Sequence, residues 1–503
     1  MVFADPSWIV WPVAGPLVAG LLCFLIHRGS FLISLAALVL NCLAVIVLFR
    51  QFLLSGPALY NIGDWQPPLG ISLVTGGPAL IMLSMTAVTG LGITIYARGY
   101  FSFRIDSSTR ARRHERQERF FWPLWMILLA GLNGLFLTDD IFNLYVTLEL
   151  IGVSAAALAA LSGKPPSQIA SFRYLLVSLL GSFSYLLGVA FLYKTYAVLD
   201  LSLLTDLASA EPGVRAALAL MSVGLLLKTA LFPFHFWLPS AHANALAPVS
   251  AILSGLVVKG SFFLMFRLWF DVFASVIPAS AYNLIGVLGA MAILWGSMQA
   301  LRQQRLKLLV AYSTVSQLGY LFIAFPLAFL NGGHQAWSAV IFMAIGHACA
   351  KTAMFMATGT IFLHAGHDRI NDLAGIRAYL PMSVFAYVIA GVNLMGLPPS
   401  GGFIAKWMML TDSLAAMQWW WALVLVTGSL LAAAYVFRVV SQFFIIPSGQ
   451  PTGKHRTSTG LLEWPSFILA VCSLFLGLIA PYPLQVLKIN QVLTTAFYMR
   501  GGP

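Results

Sequence analysis

Four lysines stand inside apolar stretches of this sequence. Lys228 and Lys259 lie in LLLKTALFPFHFWLPSAHANALAPVSAILSGLVVKG, Lys351 in GHACAKTAMF and Lys406 in GLPPSGGFIAKW. One glutamate, Glu149, lies in FNLYVTLELIG with no cation near it in sequence. An ionisable side chain at membrane depth is costly, and it is normally paired or turned toward a polar interior. One such lysine could snorkel to an interface, Lys406 beside a helix break above all. Four of them read better as parts of a charge pathway. A lysine takes up and releases a proton as a carboxylate partner approaches and withdraws, whereas arginine stays charged. Glu149 reads either as a neutral, hydrogen-bonded core residue or as half of an ion pair, with Lys228 its best partner. The chemistry this set supports is switchable proton transfer.

His347 and Lys351 are four residues apart and share a helix face. They read as a relay pair or as a core histidine that happens to neighbour a lysine. His235 and His242 flank WLPSAH, in a proline-rich break between Lys228 and Lys259. Asp139 and Asp140 read equally as a helix cap and as an entry funnel for cations. His364, His367 and Asp368 have metal-ligand types, but HAGHD reads as a polar helix end, so no metal site is expected. Cys23, Cys42, Cys349 and Cys472 lie in apolar runs and form no CxxC, so neither disulfides nor haem or iron–sulfur ligation is expected. No phosphate-binding loop, dinucleotide fingerprint or nucleophile–base set is present. No cofactor is expected, and whether the chain belongs to an enzyme complex stays open.

The elements that must position these residues follow from composition. The 503 residues are 60% hydrophobic and 9% charged, far from the roughly 25% charged residues of a soluble domain. The class expected is an all-α polytopic membrane protein. Runs of about 20 apolar residues give about 14 spans: 8–26, 31–54, 71–97, 120–138, 141–162, 169–194, 214–232, 245–269, 280–300, 308–330, 336–363, 381–411, 418–445 and 463–484. The net charge of +12 does not point to nucleic acid, because the basic residues are spread over short loops. If the arginine-rich segment from Arg98 to Arg119 is cytoplasmic, 18 of the 28 Lys and Arg fall inside and six outside; the other four are the lysines within spans. That bias orients the chain with both termini outside. MVFADPSW has no basic region of the kind that opens a cleavable signal. Spans seven and twelve are broken by proline, and each carries a lysine at its break. Broken helices at matching places in two halves suggest inverted repeats around a transport site. The division expected is a three-helix segment with its basic loop at 1–119, five-helix repeats at 120–270 and 280–445, and a terminal helix and tail at 446–503.

Several ordered stretches resemble one family: NGLFLTDDIFNLYVTLELIG, the Leu225–Gly260 stretch, RLKLLVAYSTVSQLGY, GHACAKTAMF and GLPPSGGFIAKW. The chain resembles the proton-translocating membrane subunits shared by respiratory complex I, membrane-bound hydrogenases and Mrp-type cation/proton antiporters. The fifth-span motif and GVAFLYKTYAVLDLSLL are most similar to the D-type branch of the Mrp antiporters. The resemblance implies that Glu149, Lys228, Lys259, Lys351 and Lys406 form a proton pathway at mid-membrane depth. Asp140, His235, His242 and His347 would be auxiliary to it. Three positions depart from the family pattern: TDD at 138–140 where TGD is frequent, Arg173 where lysine is common, and Ser254 where some relatives carry histidine. The third means that water or hydroxyls must bridge Lys228 and Lys259. The function expected is the proton-conducting subunit of a multisubunit cation/proton antiporter, with Na+ the expected cation. The alternatives are a proton-pumping module of a redox-driven complex, or the energising subunit of another transporter such as one for inorganic carbon. A structural scaffold and a stand-alone solute carrier fit less well. Partners expected are other membrane subunits in a bacterial or archaeal cytoplasmic membrane.

Overall fold

A computed structural model describes residues 6–103, 108–330, 334–446 and 460–487. Arg104, Lys454, Arg456, Lys488, Arg500 and the side chains of Arg110, Arg112 and Arg113 lie outside the described residues. Among the described residues the architecture is all-helical apart from one hairpin. Helices α1 (Trp11–Leu25), α2 (Ser30–Ser55), α3 (Gly77–Ser102) and α4 (Ser108–Leu137) come first, with strands β1 (Ala58–Asn61) and β2 (Ser72–Thr75) paired antiparallel between α2 and α3. Next come α5 (Ile141–Ala160), α6 (Pro165–Tyr196), the short α7 (Leu201–Leu207), α8 (Pro212–Thr229), α9 (Leu238–Asn244), α10 (Ala247–Ile252) and α11 (Val258–Arg267). The remainder is α12 (Ala279–Arg302), α13 (Leu306–Leu330), α14 (His334–Ala365), α15 (Pro381–Met395), α16 (Gly401–Ala415), α17 (Trp419–Phe444) and α18 (Gly460–Leu478).

Among the described residues, 13 helical stretches are long and apolar enough to cross a bilayer, and α15 with α16 forms a further, broken crossing. The third span starts later than its apolar run suggests. Residues 72–75 pair with 58–61 instead, and Gly77 and Pro78 then open α3. Proline suits a first helical turn because its missing N–H has no partner there. The arginine-rich segment is also more helical than a loop reading implies. Helix α3 runs to Ser102 and α4 begins at Ser108, since Arg, Glu and Gln favour helix.

Burial ranks the helices. Leu306–Phe329, Gln335–Ala365 and all of Ala247–Val272 are almost wholly enclosed, whereas α1, α2, α6 and α17 present large apolar side chains outward. The charged lysines sit on enclosed helices or at the two breaks. Each break is capped locally. Helix α8 ends with Ala230 in the left-handed region, and Trp237 Nε1 donates to the freed Leu227 carbonyl at 3.0 Å. Helix α15 ends with Gly396 at φ 76°, a conformation that glycine adopts without strain. Asn393 Oδ1 then accepts from Gly402 N at 2.8 Å, and Ser400 Oγ caps α16 through Phe403 N. Breaking a helix frees carbonyls, and at the α15–α16 break Lys406 Nζ takes one of them, Leu394 O.

Candidate functional site

The first centre is at the α8 break. Gly181 on α6 and Gly224 on α8 let the two helices touch: a Cβ at Gly224 would lie 2.3 Å from Gly181 O. One turn on, Lys228 is buried, with Nζ donating to Ser178 Oγ at 3.0 Å and to Leu148 O at 3.4 Å. Glu149 Oε1 is 3.7 Å from the ammonium and has no hydrogen-bond donor of its own. The arrangement is therefore an ion pair in loose contact, not a tight bidentate clamp. A cavity of about 10 Å³ adjoins Lys228, lined by Gly152, Tyr174, Ser178 and Ser261. That is roughly the room one water needs, with polar partners present. Ser261 Oγ in turn accepts from Thr229 Oγ1 at 2.9 Å.

The central lysines are fully enclosed. Leu253–Val257 forms a π-helical turn between α10 and α11, a geometry often found at functional sites. Gly255 within it leaves space that a Cβ would close against Thr352 Oγ1, 2.1 Å away. The turn presents Ser254 O to Lys259 Nζ, which donates to it. Ser254 Oγ lies 2.9 Å from Thr314 Oγ1 on α13, and Thr314 Oγ1 donates to Val310 O at 3.0 Å. Lys351 Nζ donates to that same Val310 carbonyl at 3.1 Å and to Ser313 Oγ. The Ser254 hydroxyl thus joins the Lys259 turn to α13, whose Val310 carbonyl and Ser313 hydroxyl accept from the Lys351 ammonium of α14.

The last centre is at the α15–α16 break. Lys406 Nζ donates to Leu394 O at 2.7 Å and to Ser429 Oγ at 3.2 Å, and lies 4.1 Å from the centre of the Tyr320 ring. A cation over an aromatic face is attracted by the ring quadrupole. His347 lies one turn before Lys351 on α14 and is fully enclosed. His347 and Lys351 share a face but do not hydrogen-bond to each other. Both ring nitrogens of His347 and of His242 are buried without a protein partner. His242 stacks on Phe355 at 4.7 Å and faces Lys307, Lys351 and Lys259.

The other candidates sort differently. His235 is half-buried at the break and stacked on Phe232. Asp140 caps α5 through Asn143 N at 2.5 Å, and Asp139 pairs with Arg267 at 2.7 Å. Asp200 caps α7 and forms a backbone bridge with Asp140. Burial pushes the Asp140 and Asp200 carboxyls above the usual carboxylate range, against the opposing pull of the backbone N–H groups they accept from. Asp368 is held by Arg305 Nε at 3.0 and 3.2 Å, so it serves as an ion-pair partner beside His367. Nothing in the sequence pattern gives a role to Ser178, Ser261, Thr229, Ser313, Thr314, Ser429 or Tyr320. AYSTVSQ is informative there only as a motif. Lys307 reads as a loop charge, yet its Nζ donates to Ala245 O at the end of α9.

Residues 138–432 match the family described as NADH:quinone oxidoreductase/Mrp antiporter, transmembrane. The chain is 33% identical over 423 residues to the N-type subunit of NADH-quinone oxidoreductase from Desulforudis audaxviator, covering 83% of this chain and 82% of that one. It is 25% identical over 491 residues to the D-type subunit of the Na(+)/H(+) antiporter from Bacillus subtilis, covering 95% of each. A chain in the Mrp complex of Dietzia superposes with TM-score 0.86 at 24% identity, over 97% of both chains. That likeness concerns the fold.

Proposed function

The chain belongs to the NADH:quinone oxidoreductase/Mrp antiporter transmembrane family, and from that premise we propose that it is the proton-conducting subunit of a multisubunit cation/proton antiporter, with sodium as the expected cation. The observation that carries this reading is the Glu149–Lys228 pair at the first break, followed by three more buried lysines, of which Lys259 and Lys351 are joined through Ser254, Thr314 and the Val310 carbonyl. Near end-to-end similarity to a D-type antiporter protein supports the antiporter assignment. Two inverted five-helix units, 120–270 and 280–445, would each supply one broken helix. They would be preceded by 1–119 and followed by 446–503. The excess of Lys and Arg in alternate loops supports a cytoplasmic membrane orientation with both termini outside.

In the proposed mechanism Lys228 keeps its proton while Glu149 is beside it and gives it up when the pair opens. The proton crosses the small cavity and the Ser261–Thr229 hydroxyls toward Lys259, then passes to Lys351 by way of the Ser254–Thr314 contact and to Lys406 past His347. Hydroxyls and water carry the proton, because each oxygen accepts one and donates another. The carbonyls of Leu148, Ser254, Val310 and Leu394 hold the ammonium groups in place. The lysines titrate as a coupled set.

A redox-driven pump module is the second reading, favoured by the 33% identity to a quinone oxidoreductase protein. ΔpH-dependent dye dequenching in inverted vesicles holding the whole complex separates the two. Proton movement on adding Na+ or K+ supports the antiporter. Movement only with an electron donor such as NADH or ferredoxin overturns it in favour of the pump.

A further inference from the structure

The outward faces of α12 and α17 form one apolar strip that ends in arginines. The two helices run side by side in the same direction. A Cβ at Gly286 would lie 2.9 Å from the Trp421 ring, a Cβ at Gly428 would overlap the Ile293 side chain, and Arg438 Nη1 donates to Leu301 O. On α12, Leu284, Met291, Trp295 and Met298 are exposed, at spacings that place them on one helix face. One further turn along that face is Arg302, also exposed. Beside them α17 exposes Leu430 and Phe437. From Leu284 to Arg302 the strip is about 27 Å long at 1.5 Å per residue, close to the roughly 30 Å of a bilayer's hydrocarbon core. With its apolar part in hydrocarbon, its arginine end stands at the boundary with water.

Three guanidinium groups gather at that boundary. Arg302 ends α12, Arg438 lies in the last two turns of α17, and Arg377, from the loop between α14 and α15, covers the Phe444 ring at 5.1 Å. Among the described residues, none of the three has a carboxylate within ion-pair distance. Asp368 is held by Arg305, Glu463 accepts from Ser383 N, and the exposed Asp372 pairs with none of them. The other end of the strip is uncharged: 278–282 and 418–421 hold no Lys, Arg, Asp or Glu. Guanidinium groups match phosphate oxygens in geometry as well as in charge. Basic niches between membrane helices, above an apolar face, suit anionic headgroups. A zwitterionic headgroup brings its own cation and gives up part of that attraction.

We propose that the α12–α17 strip binds an anionic diacyl phospholipid, with its headgroup among Arg302, Arg377 and Arg438 and its acyl chains along Trp295, Met298 and Phe437. Arg438, tied to the Leu301 carbonyl, sets the spacing of the two helix ends that receive the headgroup. Arg302 and Arg377 supply the free charge. The bound lipid fastens α12 to α17 from outside. The site stands independently of the proton-conducting role.

Photo-crosslinking of the intact complex in phosphatidylcholine nanodiscs tests this. The probe is a trace of phosphatidylglycerol with a diazirine in one acyl chain, compared with phosphatidylcholine carrying the same chain. Labelled peptides are mapped by mass spectrometry. Phosphatidylglycerol is expected to label the peptides holding Trp295, Met298 and Phe437 at least about fivefold more than phosphatidylcholine, roughly the factor one basic group contributes near anionic lipid. Arg302→Gln with Arg377→Gln should bring that labelling down to the phosphatidylcholine level in complex that still assembles on native gels. The corresponding double lysine variant should keep most of the preference. Arg28→Gln, at an exposed arginine just beyond α1, should leave it unchanged. Equal labelling by the two probes in the wild type overturns the proposal without recourse to any variant. So does a strip that neither probe labels because another subunit covers it, or a preference that survives in the double glutamine variant.

Discussion

Gly224→Ala tests whether the position of Lys228 depends on the close approach of α6 and α8. The added Cβ would lie 2.3 Å from Gly181 O and 3.0 Å from Tyr185 N, both backbone atoms that cannot rotate away. Relief requires the helices to part by about 1 Å, and overpacking of this kind costs roughly 1–3 kcal/mol. Gly224 and Lys228 are one turn apart on the same face, so the displacement reaches the ammonium. The 3.0 Å contact to Ser178 Oγ then stretches to about 4 Å, beyond hydrogen-bond range. A lost hydrogen bond to a charge is worth about 1.5–3 kcal/mol, and the alanine returns up to about 1 kcal/mol of helix propensity. The net expectation is a loss of about 3 kcal/mol, or roughly a 150-fold slower coupled rate if the full amount appears in the barrier. The control is Gly213→Ala, an exposed position on the same helix with nothing within 4 Å of the new Cβ, which should match or slightly exceed wild type in stability. The readouts are thermal unfolding of the detergent-solubilised complex and cation-driven dequenching. A Gly224→Ala complex that matches wild type in both refutes the reasoning.

Glu149→Gln removes a charge 3.7 Å from Lys228, a contact worth about 4 kcal/mol at an effective dielectric of about 20; coupled transport should fall to background while the assembled complex stays intact on native gels. Ser254→Ala deletes the hydroxyl facing Thr314 and should slow coupled transport about fivefold, with Ser254→Thr restoring most of it in the same vesicle assay. Asp200→Asn keeps an N-cap acceptor but removes a carboxylate whose proton affinity is raised by burial. A group of raised affinity contributes stability below its unfolded pKa, about 3.9, and that contribution is lost as pH climbs through the folded value. The variant should therefore equal or exceed the wild-type melting temperature at pH 7 to 8, with the advantage vanishing near pH 4.

The fourteen crossings were legible because each is a run of about 20 apolar residues, and the breaks because proline forces them. Lys228 and Glu149 could be matched because Glu149 is the one glutamate deep within a span and the fifth and seventh spans fall in one proposed unit. The hairpin at 58–75 was not legible, since four-residue strands carry too little alternation to stand out from an apolar run. Nor were the hydroxyl links. A serine or threonine in a helix ordinarily bonds its own preceding turn, as Thr229 does to Leu225 O. Only packing decides that Thr229 also meets Ser261 and that Ser254 meets Thr314. His235 looked equivalent to His242 in sequence, but the turn at Pro233 leaves it beside Phe232 at the edge of the break, whereas His242 is carried inward on α9.

The central claim is that protons move through Lys228. Cation-driven dequenching in inverted vesicles, with equal amounts of assembled wild-type and Lys228→Ala complex, tests it most directly. Proton movement in the wild type that is absent from Lys228→Ala is the predicted result. A Lys228→Ala complex that moves protons at the wild-type rate would contradict it.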